Sequence, residues 1–210
     1  MSNWKRITFY LLLLASGIAA LIFANRQLGT MKAKRLPVIG EEKAHIIAPF
    51  SFVNQEGKVI TNADVAGKIN VVSYFFATCK GICPAMNRNL QKVYNACKGD
   101  KEIIFLSHTV DPKRDTVAAL NAYGKLMEAD PAQWMFLTGD KKKLYDMARY
   151  SYLISAGDDT TGLSIDADFI HDQQFTLVDG AGRIRGFYDG LDSVKVRQLI
   201  LDIRKLKDEQ

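Results

Sequence analysis

Two cysteines stand where an apolar run gives out. Val71-Val72-Ser73-Tyr74-Phe75-Phe76 leads through Ala77 and Thr78 into Cys79-Lys80-Gly81-Ile82-Cys83-Pro84. Thiolates are both nucleophiles and ligands for soft metals, so a close pair admits two kinds of chemistry. Three residues separate the sulfurs, one more than the Cys-x-x-Cys redox spacing. On the first turn of a helix, positions i and i+4 share a face. Both sulfurs can then meet one ion, or bond to each other after local adjustment. One imidazole would complete a soft metal site.

The chain has three histidines. His171 lies in Asp168-Phe169-Ile170-His171-Asp172-Gln173-Gln174, just before a predicted strand. It is the first candidate for a third ligand. His108 ends a buried run, Leu106-Ser107-His108-Thr109, where it could face the edge of the site or bond the backbone in a loop. His45 sits in the leading segment. The third cysteine, Cys97, is about 14 positions beyond Cys83, roughly 20 Å along a helix, and reads as a small buried residue. Three cysteines in 210 residues do not make a disulfide scaffold. The helix N-terminus at Cys83, and Lys80 beside Cys79, are expected to favour thiolate.

Alternating strands and helices must position these groups. Phe50–Val53 and Lys58–Ile60 predict a hairpin around Gly57. Ile69–Phe76 and Glu102–His108 are apolar runs of strand length, expected to be buried on both faces. Helix is expected over Pro84–Ala96. A second helix follows from an Asp115 cap to about Glu128. A short strand at Trp134–Leu137 precedes a helix over Lys141–Tyr150. Gln174–Val178 and Arg183–Tyr188 predict a second hairpin around Asp179-Gly180-Ala181-Gly182. A closing helix over Ser193–Lys207 has its apolar stripe at Val194, Val196, Leu199, Ile200, Ile203 and Leu206. This order is α/β and thioredoxin-like, with an N-terminal β-hairpin added.

Ahead of that domain, Ile7–Ala24 is an uncharged stretch of 18 residues, at the short end of what spans a bilayer. The rival reading is a cleaved signal peptide, with small residues at Ser16-Gly17-Ile18-Ala19-Ala20. The run continues through Leu21-Ile22-Phe23, which favours an anchor. The expected division is a cytoplasmic N-terminus over 1–6, a transmembrane anchor over 7–24, a polar tether over 25–44, and the folded domain over 45–210. Lys5 and Arg6 precede the span, while Arg26, Lys32, Lys34 and Arg35 follow it. Those charges alone would leave the domain in the cytoplasm. The net charge of +5 comes from 28 basic residues scattered among 23 acidic ones, without a basic run, which argues against nucleic-acid binding.

At three places the chain resembles the SCO/SenC family of copper chaperones for cytochrome c oxidase assembly. Cys79-Lys80-Gly81-Ile82-Cys83-Pro84 is similar to that family's Cys-x-x-x-Cys-Pro. Thr109-Val110-Asp111-Pro112-Lys113-Arg114-Asp115-Thr116 is similar to its Val-Asp-Pro-x-Arg-Asp-Thr. His171 followed by Phe175-Thr176-Leu177-Val178-Asp179-Gly180 resembles its ligand histidine and hairpin. The resemblance implies one copper ion, Cu(I) or Cu(II), held by Cys79, Cys83 and His171. It implies an inner-membrane protein with a single span and a domain on the periplasmic or equivalent side. Its partners would be the copper-bearing oxidase subunit, and other copper chaperones or thioredoxin-like reductants. Asp111, Arg114 and Asp115 then read as turn, ion-pair and cap residues that position a loop near the site, not as ligands.

The chain departs from the family twice. Lys80 stands where many members have Pro, and Ile170 where many have an Asp that orients the ligand imidazole. The copper-carrier reading implies no turnover, so no catalytic residue. The alternative is a thiol-disulfide oxidoreductase acting on the oxidase subunit's cysteines, with Cys79 and Cys83 as its redox pair.

Overall fold

The computed structural model describes residues 4, 7, 10–20, 35–40, 45–79, 81–154 and 173–209. The chain divides into two compact units, Met1–Arg35 and Leu36–Gln210. In the first, helix α1 is described over residues 10–20. Leu11, Leu12, Leu13, Leu14 and Ile18 are all exposed on it. A helix apolar on every side needs apolar surroundings. No helix among the described residues is long and apolar enough to cross a membrane. The remainder of the expected 7–24 span lies outside the described residues.

The second unit is built on a seven-stranded sheet of order β2-β1-β5-β4-β3-β6-β7. The strands are β1 (Ser51–Asn54), β2 (Val59–Thr61), β3 (Ile69–Phe75), β4 (Ile103–Thr109), β5 (Trp134–Thr138), β6 (Gln174–Val178) and β7 (Ile184–Asp189). β3, β4 and β5 are parallel neighbours; β6 joins β3 antiparallel, and β1 joins β5 antiparallel. The helices are α2 (Asn62–Val65), α3 (Cys83–Cys97), α4 (Val117–Leu126), α5 (Lys141–Asp146) and α6 (Ser193–Lys207). The thioredoxin-like order and the added β1–β2 hairpin are as the sequence predicts.

Side-chain alternation splits the core into two layers. Ile69, Val71 and Phe75 of β3 face α3, α4 and α6, among Leu90, Val93, Leu120, Leu199 and Ile203. Val72 and Tyr74 face the other way, toward Leu144, Tyr145 and Tyr152. Within the first layer a polar chain links three strands. Ser73 and Ser107 share a hydroxyl hydrogen bond at 2.8 Å, and Trp134 Nε1 donates to Ser107 Oγ at 2.9 Å.

Four expectations need correction. Val194 does not join the stripe of α6: it is 59% exposed, in the first turn, where the capping Asp192 carboxylate accepts from its amide at 2.7 Å. The helix from Lys141 is α only to Asp146, then widens into a π turn over Met147–Ser151. That turn buries Ser151, whose carbonyl accepts from His45 Nε2 at 2.6 Å and whose hydroxyl accepts from the Ala48 amide at 2.8 Å. Folding starts before His45: Ile39 bridges Ile184 of β7, and Arg185 donates to the carbonyls of Leu36 and Pro37.

The fourth concerns His108, which neither lines the site nor bonds the backbone. It lies inside β4, fully buried, stacked on Tyr74 at 5.0 Å and enclosed by Phe52, Phe50 and Tyr152. Neither ring nitrogen has a hydrogen-bond partner among the described residues. Burial drives its pKa down to about 3, so the ring is neutral in the fold. An unfolded chain protonates this histidine near 6.5 and the folded one only near 3. Stability is therefore lost as pH falls below 6.5. Between pH 7 and 5 this group alone is expected to cost about 2 kcal/mol. His108→Phe should flatten that part of the slope, read by urea unfolding at both pH values through Trp134 fluorescence. An identical slope in both proteins would refute the assignment.

Candidate metal centre

β3 hands the chain to α3 through a short turn that is held from behind. The Val110 amide bonds Phe75 O at 2.8 Å, fixing the end of β3 to the end of β4. The Cys79 amide returns to Phe76 O at 3.2 Å. The Ala77 amide donates to the Asp115 carboxylate at 3.1 Å, and Thr109 Oγ1 donates to the same oxygen. Asp115 is 1% exposed. Burial raises its pKa, against the lowering pull of the Thr109 and Ala77 hydrogen bonds. The helix cap expected of Asp115 belongs instead to Thr116, whose hydroxyl accepts from the Ala119 amide at 3.3 Å. Asp115 is one residue too early for the cap and turns inward, under the cysteine turn. Asp111 and Arg114 form the expected ion pair, at 3.6 Å on the surface.

Cys83 opens α3, followed by Pro84 in the first turn, where a missing N–H costs nothing. Cys79 is half-buried and Cys83 buried, and both are free thiols. The two side chains are near enough for Cys79 to act on the Cys83 thiol. The Cys83 thiol is pushed up to about 12, by burial first and then by the neighbouring Cys79 side chain; the Phe76 backbone pulls the other way. This reverses the expectation of an acidic thiol. The partial charge of a helix end is worth at most about 2 kcal/mol, and desolvation of the anion outweighs it here. Lys80 lies outside the described residues.

His171 also lies outside the described residues. Among those described, no third His, Cys, Asp or Glu joins the cysteines in a metal-holding group. Gln173, two positions beyond His171, is well fixed. β6 runs antiparallel to β3, so its first residues lie beside the end of β3 that leads to Cys79. Gln173 O accepts from the Gly190 amide at 2.8 Å, and Asn89 of α3 donates to Gly190 O at 2.8 Å. A Cβ at Gly190 would come within 2.7 Å of Gln173 O and 2.9 Å of Met86 Cγ, so only glycine permits this approach. Cys97, at the far end of α3, is buried in the core as expected, its thiol raised to about 11 chiefly by burial.

Two polar residues beside the thiols were not singled out from sequence. Asn87, one turn along α3 from Cys83, donates to Tyr123 Oη of α4 at 2.5 Å. Burial pushes the Tyr123 phenol up; the Asn87 bond opposes this, while Cys83, Cys79 and Asp115 add to it. The i+4 spacing of Asn87 from Cys83 was the available signal.

Comparison with known proteins gives a consistent result. The SCO1/SenC family model matches residues 39–208. The SCO1 protein homolog of Bacillus subtilis (strain 168) is 24% identical over 164 residues, which are 75% of this chain and 81% of that protein. Among solved structures, BsSco, described as a member of the Sco family of cytochrome c oxidase assembly proteins with a disulfide switch, superposes with a TM-score of 0.69. It is 21% identical, and the match covers 84% of this chain and all of that one (100%). Bradyrhizobium japonicum ScoI with copper bound gives a TM-score of 0.59 at 24% identity, covering 77% of this chain and 99% of its own.

Proposed function

Because the chain belongs to the SCO1/SenC family, we propose that it is a membrane-anchored copper-binding chaperone that delivers copper to, or prepares, the binuclear copper site of cytochrome c oxidase. The observation that carries this reading is the meeting of two free thiols, Cys79 and Cys83, at the turn from β3 into α3. Copper is the cargo. Two sulfurs and an imidazole are the donor set that suits soft Cu(I), and Cu(II) would take a weak further ligand. Cys79, Cys83 and His171 would hold the ion. The copper-bound relative and the oxidase-assembly description of BsSco support the choice of metal and partner.

The chain's own residues have three tasks in that role. Asp115 fixes the turn, through Ala77 and Thr109, so that the sulfurs stay together. Burial keeps the Cys83 proton in place until a metal or partner displaces it. Half-exposed Cys79 offers the route in and out. Residues 7–24 would anchor the protein in the inner membrane, with the domain on the extracytoplasmic side, where the copper-bearing oxidase subunit and other copper chaperones would meet it. No turnover is part of this role.

The second reading is a thiol-disulfide oxidoreductase, favoured by the proximity of two free thiols on one turn and by the disulfide switch of BsSco. Cys79, the more exposed, would attack a partner disulfide as thiolate, and one partner sulfur would leave with the electron pair. Cys83 would then displace the second. The products are a Cys79–Cys83 disulfide and a reduced partner, and a thioredoxin-like dithiol would reset the pair. His171→Ala separates the readings. A copper carrier is expected to lose metal and a reductase to keep its rate, measured on a peptide with one internal disulfide. A reductase rate retained beside unchanged copper binding would overturn the copper reading.

A further inference from the structure

Basic residues that are scattered along the sequence are gathered by the fold. Helices α3 and α6 carry seven of them against one acidic residue, Asp202. That surplus exceeds the net charge of +5 on the whole chain. Lys207 is neutralised by Asp100 and Glu102, and Asp202 accepts from Tyr188 Oη and Gln198 Nε2. The other six are Arg88, Lys92, Lys195, Arg197, Arg204 and Lys205. None has a carboxylate partner among the described residues, and all but the half-buried Lys205 are exposed. The two helices lie side by side and run the same way. Asn89, early in α3, donates to Gly190 O just before α6, at 2.8 Å. Lys207, at the end of α6, reaches Asp100 just after α3, at 2.5 Å. Their inner sides share one core layer, so the cations stand on one outward face.

The same face carries exposed apolar groups. Val194 is 59% and Leu201 55% exposed, two turns apart on the outward stripe of α6, with Arg197 and Arg204 in the same stripe. An acidic protein would satisfy the cations alone. An anionic lipid surface satisfies both, its phosphates meeting the cations and its acyl boundary taking the apolar tips. The entry of the chain points the same way. Leu36, the first residue of the domain, is held at the C-terminal end of α6, where its amide donates to Glu209 at 2.7 Å, and it packs against the core layer of α3 and α6. Arg26, Lys32, Lys34 and Arg35 precede it. The tether thus joins the domain at one end of the basic face. We propose that the outward face of α3 and α6 docks on anionic phospholipid headgroups. Both helices then lie along the bilayer. The sheet edge that carries Cys79 and Cys83, at the start of α3, opens sideways along the membrane, where a partner domain held in the same bilayer can reach it.

The inference rests on the membrane-anchored part of the proposed function and not on copper. The full-length chain is placed in nanodiscs of phosphatidylcholine, alone or mixed with phosphatidylglycerol. Brief lysine acetylation is then read by peptide mass spectrometry. Lys142 of α5, which packs in the opposite core layer, is the internal reference. Lys195 and Lys205 are expected to slow at least about threefold relative to Lys142 in the anionic discs, since each cation near such a surface adds to the attraction. The difference should vanish in about 1 M salt, where the screening length falls to about 3 Å. Arg197→Glu combined with Arg204→Glu, both at exposed positions, should abolish it and leave the urea midpoint unchanged. Ratios equal in the two lipids overturn the proposal and leave the face to an acidic protein. Equal slowing of Lys142 also overturns it, as adsorption without a preferred face. A chain that does not stay in the zwitterionic discs contradicts the anchor, not the docking. The same ratios, read with the chain added to vesicles of the two compositions, then decide by the same rule.

Discussion

Arg185→Ala is expected to destabilise the folded domain by about 3–5 kcal/mol, the cost of breaking a buried ion pair from one side. The side chain of Arg185 is 6% exposed, and it bonds Asp179 at 3.1 Å and Glu209 at 2.5 Å. Its remaining donors reach Pro37 O at 3.0 Å and Leu36 O at 2.7 Å, while Glu209 accepts from the Leu36 amide at 2.7 Å. One guanidinium thus ties β7, the C-terminal end of α6 and the strap at Leu36–Pro37. Alanine would leave Asp179, whose side chain is 2% exposed, facing only Arg183. It would also leave two backbone carbonyls without their donor, and Glu209 with the Leu36 amide alone. Glu209→Gln, which removes a charge but keeps an acceptor, should cost about 1 kcal/mol. Urea unfolding read through the buried Trp134 measures both. A loss below about 1 kcal/mol for Arg185→Ala would mean that the strap and the cluster contribute little.

This cluster also shows where sequence reading stops. Leu36 and Pro37 sit among basic residues and Gly and Pro punctuation, so by composition they belong to the tether. Their place in the domain depends on backbone carbonyls accepting from Arg185, a contact that no periodicity encodes. Strands and helices with strong patterns were legible. β3 and β4 read as largely apolar runs because they are buried on both faces. α6 shows its stripe at Val196, Leu199, Ile203 and Leu206. What failed was local competition: Thr116 took the cap from Asp115, and a π turn replaced the last α turn before Ser151.

The site divides in the same way. Cys79 and Cys83 were legible because their spacing on a strand-to-helix turn is a local property. The state of Cys83 was not, since its high pKa comes from burial that only the packed fold creates. His108 carried a plausible ligand label in sequence, but the parity of β4 turns it into the aromatic layer with Tyr74 and Tyr152. Asn87 and Tyr123 lie 36 residues apart and meet only through the packing of α4 beside α3.

Removing a sulfur is expected to have the largest effect of all on metal binding. Cys83→Ser should weaken Cu(I) binding more than about 100-fold, beyond the 10–100-fold typical of losing a group that merely orients a ligand. A hydroxyl is a hard donor with little affinity for a soft ion. Cys79→Ser should behave alike, whereas Cys97→Ser should leave binding unchanged, because Cys97 lies at the opposite end of α3. Equal losses in all three variants would point to nonspecific thiol binding.

The most direct test is an anaerobic Cu(I) titration of the reduced full-length chain against a competing chelator, beside His171→Ala. The copper-carrier account predicts one tightly bound equivalent that weakens about 100-fold or more without the imidazole. No tight equivalent, or binding indifferent to His171, would contradict it and leave thiol-disulfide exchange at Cys79 and Cys83 as the function of this site.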